Sequence, residues 1–316
     1  MLSYELYRIF KKHAVLITAI VFMIAFSKAL CLYLQSKESF IPYLSSEGRE
    51  CFIKLLDESR GFSLDERTVF ITEKTQTANT LSMQEAASRY SSLLRGCYRV
   101  KGYTDYAKSG RGIIDQQVPD DLLSDSEFYA SLDEPTVIDT DPYSRLIRLL
   151  SFDISPLWIM LFVGTLSADS YEKGVPRQTA ITKNSCRYTA VRLICGLMLN
   201  MLIYTLSFAG DMLICEAFQS DYMTASFQST GLSGKLDCTV MGSILLLFII
   251  GLVSCMICYF TFEILAKVLR SVRKYILASG AIILSMSSAA VYISCLSPYL
   301  FAAVRDKGEM LSALGV

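Results

Sequence analysis

Ser155-Pro-Leu-Trp-Ile-Met-Leu-Phe-Val-Gly-Thr-Leu-Ser-Ala168 carries no charge. The chain directly after it, Asp169-Ser-Tyr-Glu-Lys-Gly-Val-Pro-Arg-Gln-Thr-Ala-Ile-Thr-Lys-Asn-Ser-Cys-Arg187, is dense in charge and hydroxyls. Leu193-Ile-Cys-Gly-Leu-Met-Leu-Asn-Met-Leu-Ile-Tyr-Thr-Leu-Ser-Phe-Ala-Gly210 then turns apolar again. A helix needs about twenty apolar residues to cross a bilayer. The pattern therefore reads as two membrane helices joined by a short basic loop, a part that can be gripped from the cytoplasm.

The rest of the chain extends this reading. Hydrophobic residues make up 52% of the 316 and charged residues only 19%, where a soluble domain carries about a quarter charged. Mean hydropathy is +0.39. Five apolar stretches approach spanning length, at 14–34, 150–168, 192–215, 240–262 and 275–296. Backbone groups in lipid must bond within their own segment, so all five are predicted helices. The fold class expected is an all-α polytopic membrane protein with a mainly helical outer domain.

Lys+Arg and Asp+Glu balance at 30 each, so net charge gives no reason to expect a nucleic-acid partner. Local charge says more. Arg8, Lys11 and Lys12 precede the first span. Lys173, Arg177, Lys183, Arg187 and Arg192 follow the second, and Lys267, Arg270, Arg273 and Lys274 follow the fourth. By the positive-inside rule these segments, 1–13, 169–191 and 263–274, are cytoplasmic. Residues 35–149, 216–239 and the tail 297–316 then lie outside. Leu2, Leu6, Ile9 and Phe10 share one helical face, which predicts an interfacial helix over 1–13. The first apolar run lacks a cleavage site of small residues and is expected to stay as an anchor.

Residues 35–149 read as polar and helical. Ser63-Leu-Asp-Glu66 and Ser82-Met-Gln-Glu85 both match the capping-box spacing. They predict helices over roughly 45–60, 64–79 and 83–96, with Gly61 and Gly96 as stops. The acidic run Asp120, Asp121, Asp125 and Glu127 does not match an EF-hand loop and reads as a solvated surface. Cys51 and Cys97 are the cysteines of this region. They lie about 15 Å and about 50 Å along straight helices from a turn at Gly61. A bond between them needs the chain to fold back near Ser82, and the pairing stays open. The remaining cysteines sit mostly in apolar runs, where they act as small hydrophobes; Cys255 and Cys258 form a C-x-x-C with no redox partner nearby.

The chemistry expected is correspondingly spare. His13 is the single histidine, at a membrane edge where neither a metal site nor a Ser/His/Asp triad is well served. No phosphate-binding loop, dinucleotide fingerprint, zinc-protease or nucleophile-elbow motif occurs. No catalytic residue and no cofactor are expected, and any work against a gradient needs energy from another subunit. Ionisable groups do fall inside the apolar stretches: Lys28 in the first, Asp153 at the start of the second, Asp211 in the third, and Glu263 at the close of the fourth. Such groups snorkel to the interface or form pairs. Lys28, Asp153 and Asp211 fall at similar depth, within about two turns of the outer edge. Lys28 is expected to pair with Asp211, because Asp153 sits closer to water.

Three segments resemble the membrane subunit of ABC-2-type ABC transporters, in particular bacterial permeases with a large outer domain between the first two spans. Ser3-Tyr-Glu-Leu-Tyr-Arg-Ile-Phe-Lys-Lys12 is similar to the family's amphipathic entry helix. Asp169-Ser-Tyr-Glu-Lys-Gly174 with Ile181-Thr-Lys-Asn-Ser-Cys-Arg187 looks like its first cytoplasmic loop. Leu64-Asp-Glu-Arg-Thr-Val-Phe-Ile-Thr-Glu73 is similar to its outer helical segments. The resemblance implies a multi-pass protein of the bacterial plasma membrane with a cytoplasmic N-terminus. It also implies a homo- or heterodimer of permeases seated on a separate ABC ATPase, with export the commoner direction. It places a coupling helix in the loop, opened by Glu172, Lys173 and Gly174, with Gln178, Thr179 and Ile181 in contact and Arg187 at its end. Pro176 departs from the family's apolar residues there, although proline suits a first helical turn. The family has six spans, so the five seen here imply a truncated copy or completion by another polypeptide. The alternative function is a membrane-anchored sensor or interaction protein whose outer helices bind a ligand without transport.

Overall fold

The computed structural model describes residues 11, 18, 22, 24–26, 28–29, 45–109, 136–151, 155–175, 185–218, 223–230 and 238–292. The interfacial helix expected over 1–13 (residue 11 apart), the acidic run beyond 110 and the tail 297–316 lie outside the described residues, as does most of the first apolar stretch. Among the described residues the architecture is all helical, with no strand and one isolated bridge between Ser226 and Thr239. The helices are α1 (Ser46–Glu58), α2 (Leu64–Thr77), α3 (Leu81–Ser109), α4 (Asp141–Ser151), α5 (Ser155–Glu172), α6 (Ser185–Ile214), α7 (Val240–Leu269) and α8 (Val272–Tyr292). Two of them, over Arg187–Ile214 and Val240–Leu269, are long and apolar enough to cross a membrane.

The chain divides into two compact units. One holds the described residues of Glu38–Ser144 and Glu216–Leu246, and the other those of Met1–Lys37, Arg145–Cys215 and Leu247–Met310.

In the first unit, α3 packs against α1 and α2. Ala86, Ala87, Tyr90, Leu94 and Cys97 recur at helical spacing and form its buried face, meeting Phe52, Leu55, Leu64 and Ile71. The Tyr90 ring lies edge-on to Phe52 and Phe70, each 6.5 Å away. Its hydroxyl accepts from Arg67 Nη1 at 3.2 Å and donates to Ser59 Oγ at 2.6 Å. Arg67 also donates to the carbonyls of Phe62 and Val137, which binds the segment after 135 to the helices. Cys51 and Cys97 are both free thiols, each placed in or against this core.

The capping signals part company here. At Ser63 both arms of the box form: its hydroxyl accepts from the Glu66 amide, and Glu66 accepts from the Ser63 amide at 2.8 Å. At Ser82 they do not. The helix starts two residues earlier than that box implies, at Leu81, and Thr80 caps it by accepting from the Met83 amide at 3.3 Å. Glu85 is drawn instead to Ser45, the cap of α1, whose hydroxyl donates across to it at 2.9 Å. The stop expected at Gly96 is also overturned, since α3 runs on through Gly96 and Gly102 to Ser109. An interior glycine costs a helix only about 1 kcal/mol, which the packed face of α3 outweighs. Gly61, with φ +80°, does serve as the turn between α1 and α2.

In the second unit α5 packs directly against α6 and α8. A cytoplasmic loop expected over 263–274 shrinks to a turn. Helix α7 continues to Leu269 and α8 begins at Val272, with Arg270 at φ +51° between them. The apolar run of α7 ends near residue 262, but nothing in the following Glu-Ile-Leu-Ala-Lys-Val-Leu stops a helix. Helix α6 likewise starts seven residues before the stretch expected at 192–215.

Candidate functional site

Helices α6 and α7 run antiparallel in one repeating register. Arg192 meets Glu263, Gly196 meets Tyr259, Asn200 meets Cys255 and Tyr204 meets Gly251. Every step of four along α6 is matched by a step of four back along α7, so one ridge of each helix lies along the other. About one turn further along, Phe208 lies edge-on to Phe248, ring centres 5.2 Å apart.

Three kinds of contact fill this seam. Tyrosine hydroxyls rest on glycines, Tyr204 over Gly251 and Tyr259 over Gly196, leaving no room for a methyl group at either glycine. Tyr259 also donates to the Leu193 carbonyl at 3.1 Å. At the middle, the wholly buried Asn200 donates through Nδ2 to the Cys255 carbonyl at 2.9 Å. At one end sits an ion pair, Arg192 Nη2 to Glu263 Oε1 at 2.5 Å. Tyr171 of α5 joins it: its hydroxyl accepts from Arg192 at 2.6 Å, donates to Glu263 at 3.3 Å, and its ring lies 4.4 Å beneath the guanidinium. Three helices are thereby tied at one point.

A second buried pair closes the far end of α6. Lys28 Nζ lies 2.6 Å from Asp211 Oδ2 and donates also to the Ser207 carbonyl at 3.2 Å. Both side chains are buried, with Asp211 fully so. Two elements 183 residues apart are thus joined by a charge-assisted hydrogen bond. Asp153 lies outside the described residues.

The residues of the basic loop fare differently from one another. Glu172, at the last turn of α5, accepts from the Val272 amide at 3.1 Å. It therefore caps α8, placing a carboxylate at the positive end of that helix. Lys173, just past the end of α5, pairs with Asp169 in its last turn. Gly174, with φ +68°, stops α5 in the left-handed conformation that glycine adopts without strain. Arg187 is exposed in the first turn of α6. Gln178, Thr179 and Ile181 lie outside the described residues.

Sequence reading passed over Tyr171 and treated Arg192 as one more loop charge. A signal for them exists, since Arg192, Gly196, Asn200 and Tyr204 mirror Gly251, Cys255, Tyr259 and Glu263 in four-residue steps. Among the described residues no cluster of His, Cys, Asp or Glu is placed to hold a metal ion. No family model, characterised protein or solved structure matches the chain.

Proposed function

We propose that this chain is a multi-pass membrane protein acting as the permease subunit of an ATP-driven transporter, with ATP hydrolysed by a separate subunit. The observation that carries the membrane reading is α7. Its seam face is packed, yet Met241, Leu245, Ile249, Val253, Ile257 and Ile264 stand exposed along its other side, turn after turn. A helix apolar on both faces has no side suited to water. Ile194, Met198, Leu202 and Leu206 continue the same theme on α6. The buried charges fit a bilayer too. Arg192 and Asp211 lie about 28 Å apart along α6 at 1.5 Å per residue, close to the hydrocarbon thickness of about 30 Å.

The five apolar stretches serve as the spans in this reading, with the N-terminus and the basic loops in the cytoplasm. It accords with this that Glu38–Ser144 and Glu216–Leu246 fall in one compact unit, since charge assigns both 35–149 and 216–239 to the outer side. Export through a dimer of such chains, driven by an ATPase seated on loop 169–188, follows from the likeness of that loop to ABC-2 permeases. The structure of α5 adds a route for coupling. Its last turn, directly before the loop, is held to α6 and α7 by Tyr171 and to α8 by Glu172, so a pull on the loop is felt by three helices.

The test is retrieval of the tagged chain from its own membranes in mild detergent. An ATPase carrying a phosphate-binding loop should accompany it, and Gln178→Ala with Thr179→Ala should abolish most of the stimulated ATP hydrolysis. If the chain is recovered alone with no ATP hydrolysis, the permease reading fails and the ligand-binding sensor takes its place.

A further inference from the structure

The turn joining α7 to α8 is two residues long, and four cations crowd it. Lys267, Arg270, Arg273 and Lys274 are all exposed. Among the described residues the carboxylates close by are already engaged, Glu263 by Arg192 and Glu172 by the Val272 amide. The turn therefore presents an excess of positive charge.

Arg270 is the telling residue. Its φ of +51° places it in the left-handed region just past the end of α7. Helices that end this way usually put glycine there, because a side chain in that conformation costs about 1 kcal/mol or more. Arginine at such a place holds a guanidinium outward at a cost in strain. Observed backbone strain of this kind is a pointer to function.

The flanks of the turn name the partner's chemistry. Ile264 and Val268 are exposed just before the cations, at 63% and 70%, and Leu277 just after them at 74%. Exposed aliphatic side chains interleaved with exposed cations match the boundary where acyl chains meet phosphates. An acidic protein surface would complement the charges but leave the aliphatic side chains without a partner.

We infer that this turn is a binding site for the phosphates of anionic phospholipid on the cytoplasmic leaflet, with Arg270 as its central ligand. The inference rests on the membrane reading above but not on transport. Lipid bound here clamps the α7–α8 junction, beside the point where Glu172 brings α5 onto α8.

The experiment compares the full-length chain with Arg270→Gly and with Arg273→Gln/Lys274→Gln, each in phosphatidylcholine nanodiscs titrated with fluorescent phosphatidylglycerol. Each cation lost should weaken binding about fivefold, the change matching about 1 kcal/mol per basic residue near an anionic surface. Arg270→Gly should at the same time keep or raise thermal stability, since it relieves the backbone, so lost binding cannot be ascribed to misfolding. Inorganic phosphate should not compete at concentrations that leave the headgroup bound. Unchanged phosphatidylglycerol affinity in a folded Arg270→Gly protein overturns the inference. So does equal competition by free phosphate, or loss of a co-purifying ATPase without loss of lipid. If alkaline carbonate strips the wild-type chain from membranes, the membrane reading itself has failed, an outcome separate from these.

Discussion

Removing one partner of the Lys28–Asp211 pair leaves the other charge buried, whereas removing both leaves two neutral side chains. The pair's worth therefore lies in the difference between these cases. Polar contacts between membrane helices contribute about 0.6 kcal/mol on average, because the separated helices find other partners. Thermal unfolding in detergent of Lys28→Met, Asp211→Asn and the double variant should give a coupling of about 1 kcal/mol or less, with each single variant less stable than the double. Strictly additive losses would show that the contact contributes nothing. A second residue-scale effect belongs to Cys97. Burial pushes its thiol up from 9.0 to about 11, with Arg67 opposing the rise. The folded chain thus keeps the proton at a pH where the unfolded chain releases it. Stability from this group is intact below pH 9 and declines as pH climbs from 9 toward 11. Denaturant titrations at about pH 8 and about pH 10.5 should differ more for the wild type than for Cys97→Ala.

At the scale of the element, the seam between α6 and α7 depends on glycines beneath tyrosines. Gly251→Ala and Gly196→Ala should each cost about 1–3 kcal/mol, the usual penalty for overpacking, because Tyr204 and Tyr259 are buried and their rings cannot swing aside. Gly210 on α6 is the control, since a methyl group added there would meet nothing within 4 Å. There alanine should be neutral or stabilising by up to about 1 kcal/mol, since it is the better helix former. Equal melting temperatures for all three variants would deny the seam its tightness. Helix starts give a parallel contrast. Ser63→Ala removes a complete capping box and should cost about 1 kcal/mol, while Ser82→Ala, one residue inside a helix capped by Thr80, should fall within about 0.5 kcal/mol of the wild type. Urea unfolding of the two variants side by side decides between them.

For the whole molecule, the membrane reading predicts opposite sidedness for two exposed sites. A cysteine placed at Val69, which is 70% exposed on α2, should react with a membrane-impermeant maleimide on intact cells. A cysteine replacing Lys267 should react only after the membrane is opened. Labelling of both sites on intact cells would break the assignment. Of the stretches that charge assigns to the outside, 35–149 and 216–239 fall largely in one compact unit, a grouping that charge alone could suggest but not build.

The presence of the helices and the box at Ser63 were legible in the sequence, because each depends on residues within about four positions of one another; where α3 and α7 end was not, since both run past their expected stops. The apolar character of 192–215 and 240–262 likewise depends on nothing beyond the segment itself. Lys28 and Asp211 were a readable pair for a related reason: two opposite charges at one depth in an apolar medium have few other partners. What only the tertiary structure decided were matters of register between distant segments. Glu85 fits a capping box by spacing, yet a serine on another helix captures it. Glu172 reads as a loop residue free to meet a partner, and it caps α8 instead, one hundred positions later. Arg192 and Glu263 were both in view as charges near an edge, but their bond exists because α6 and α7 lock in four-residue steps. That locking is set by tyrosines finding glycines across the seam, a fit of shapes that no single segment contains.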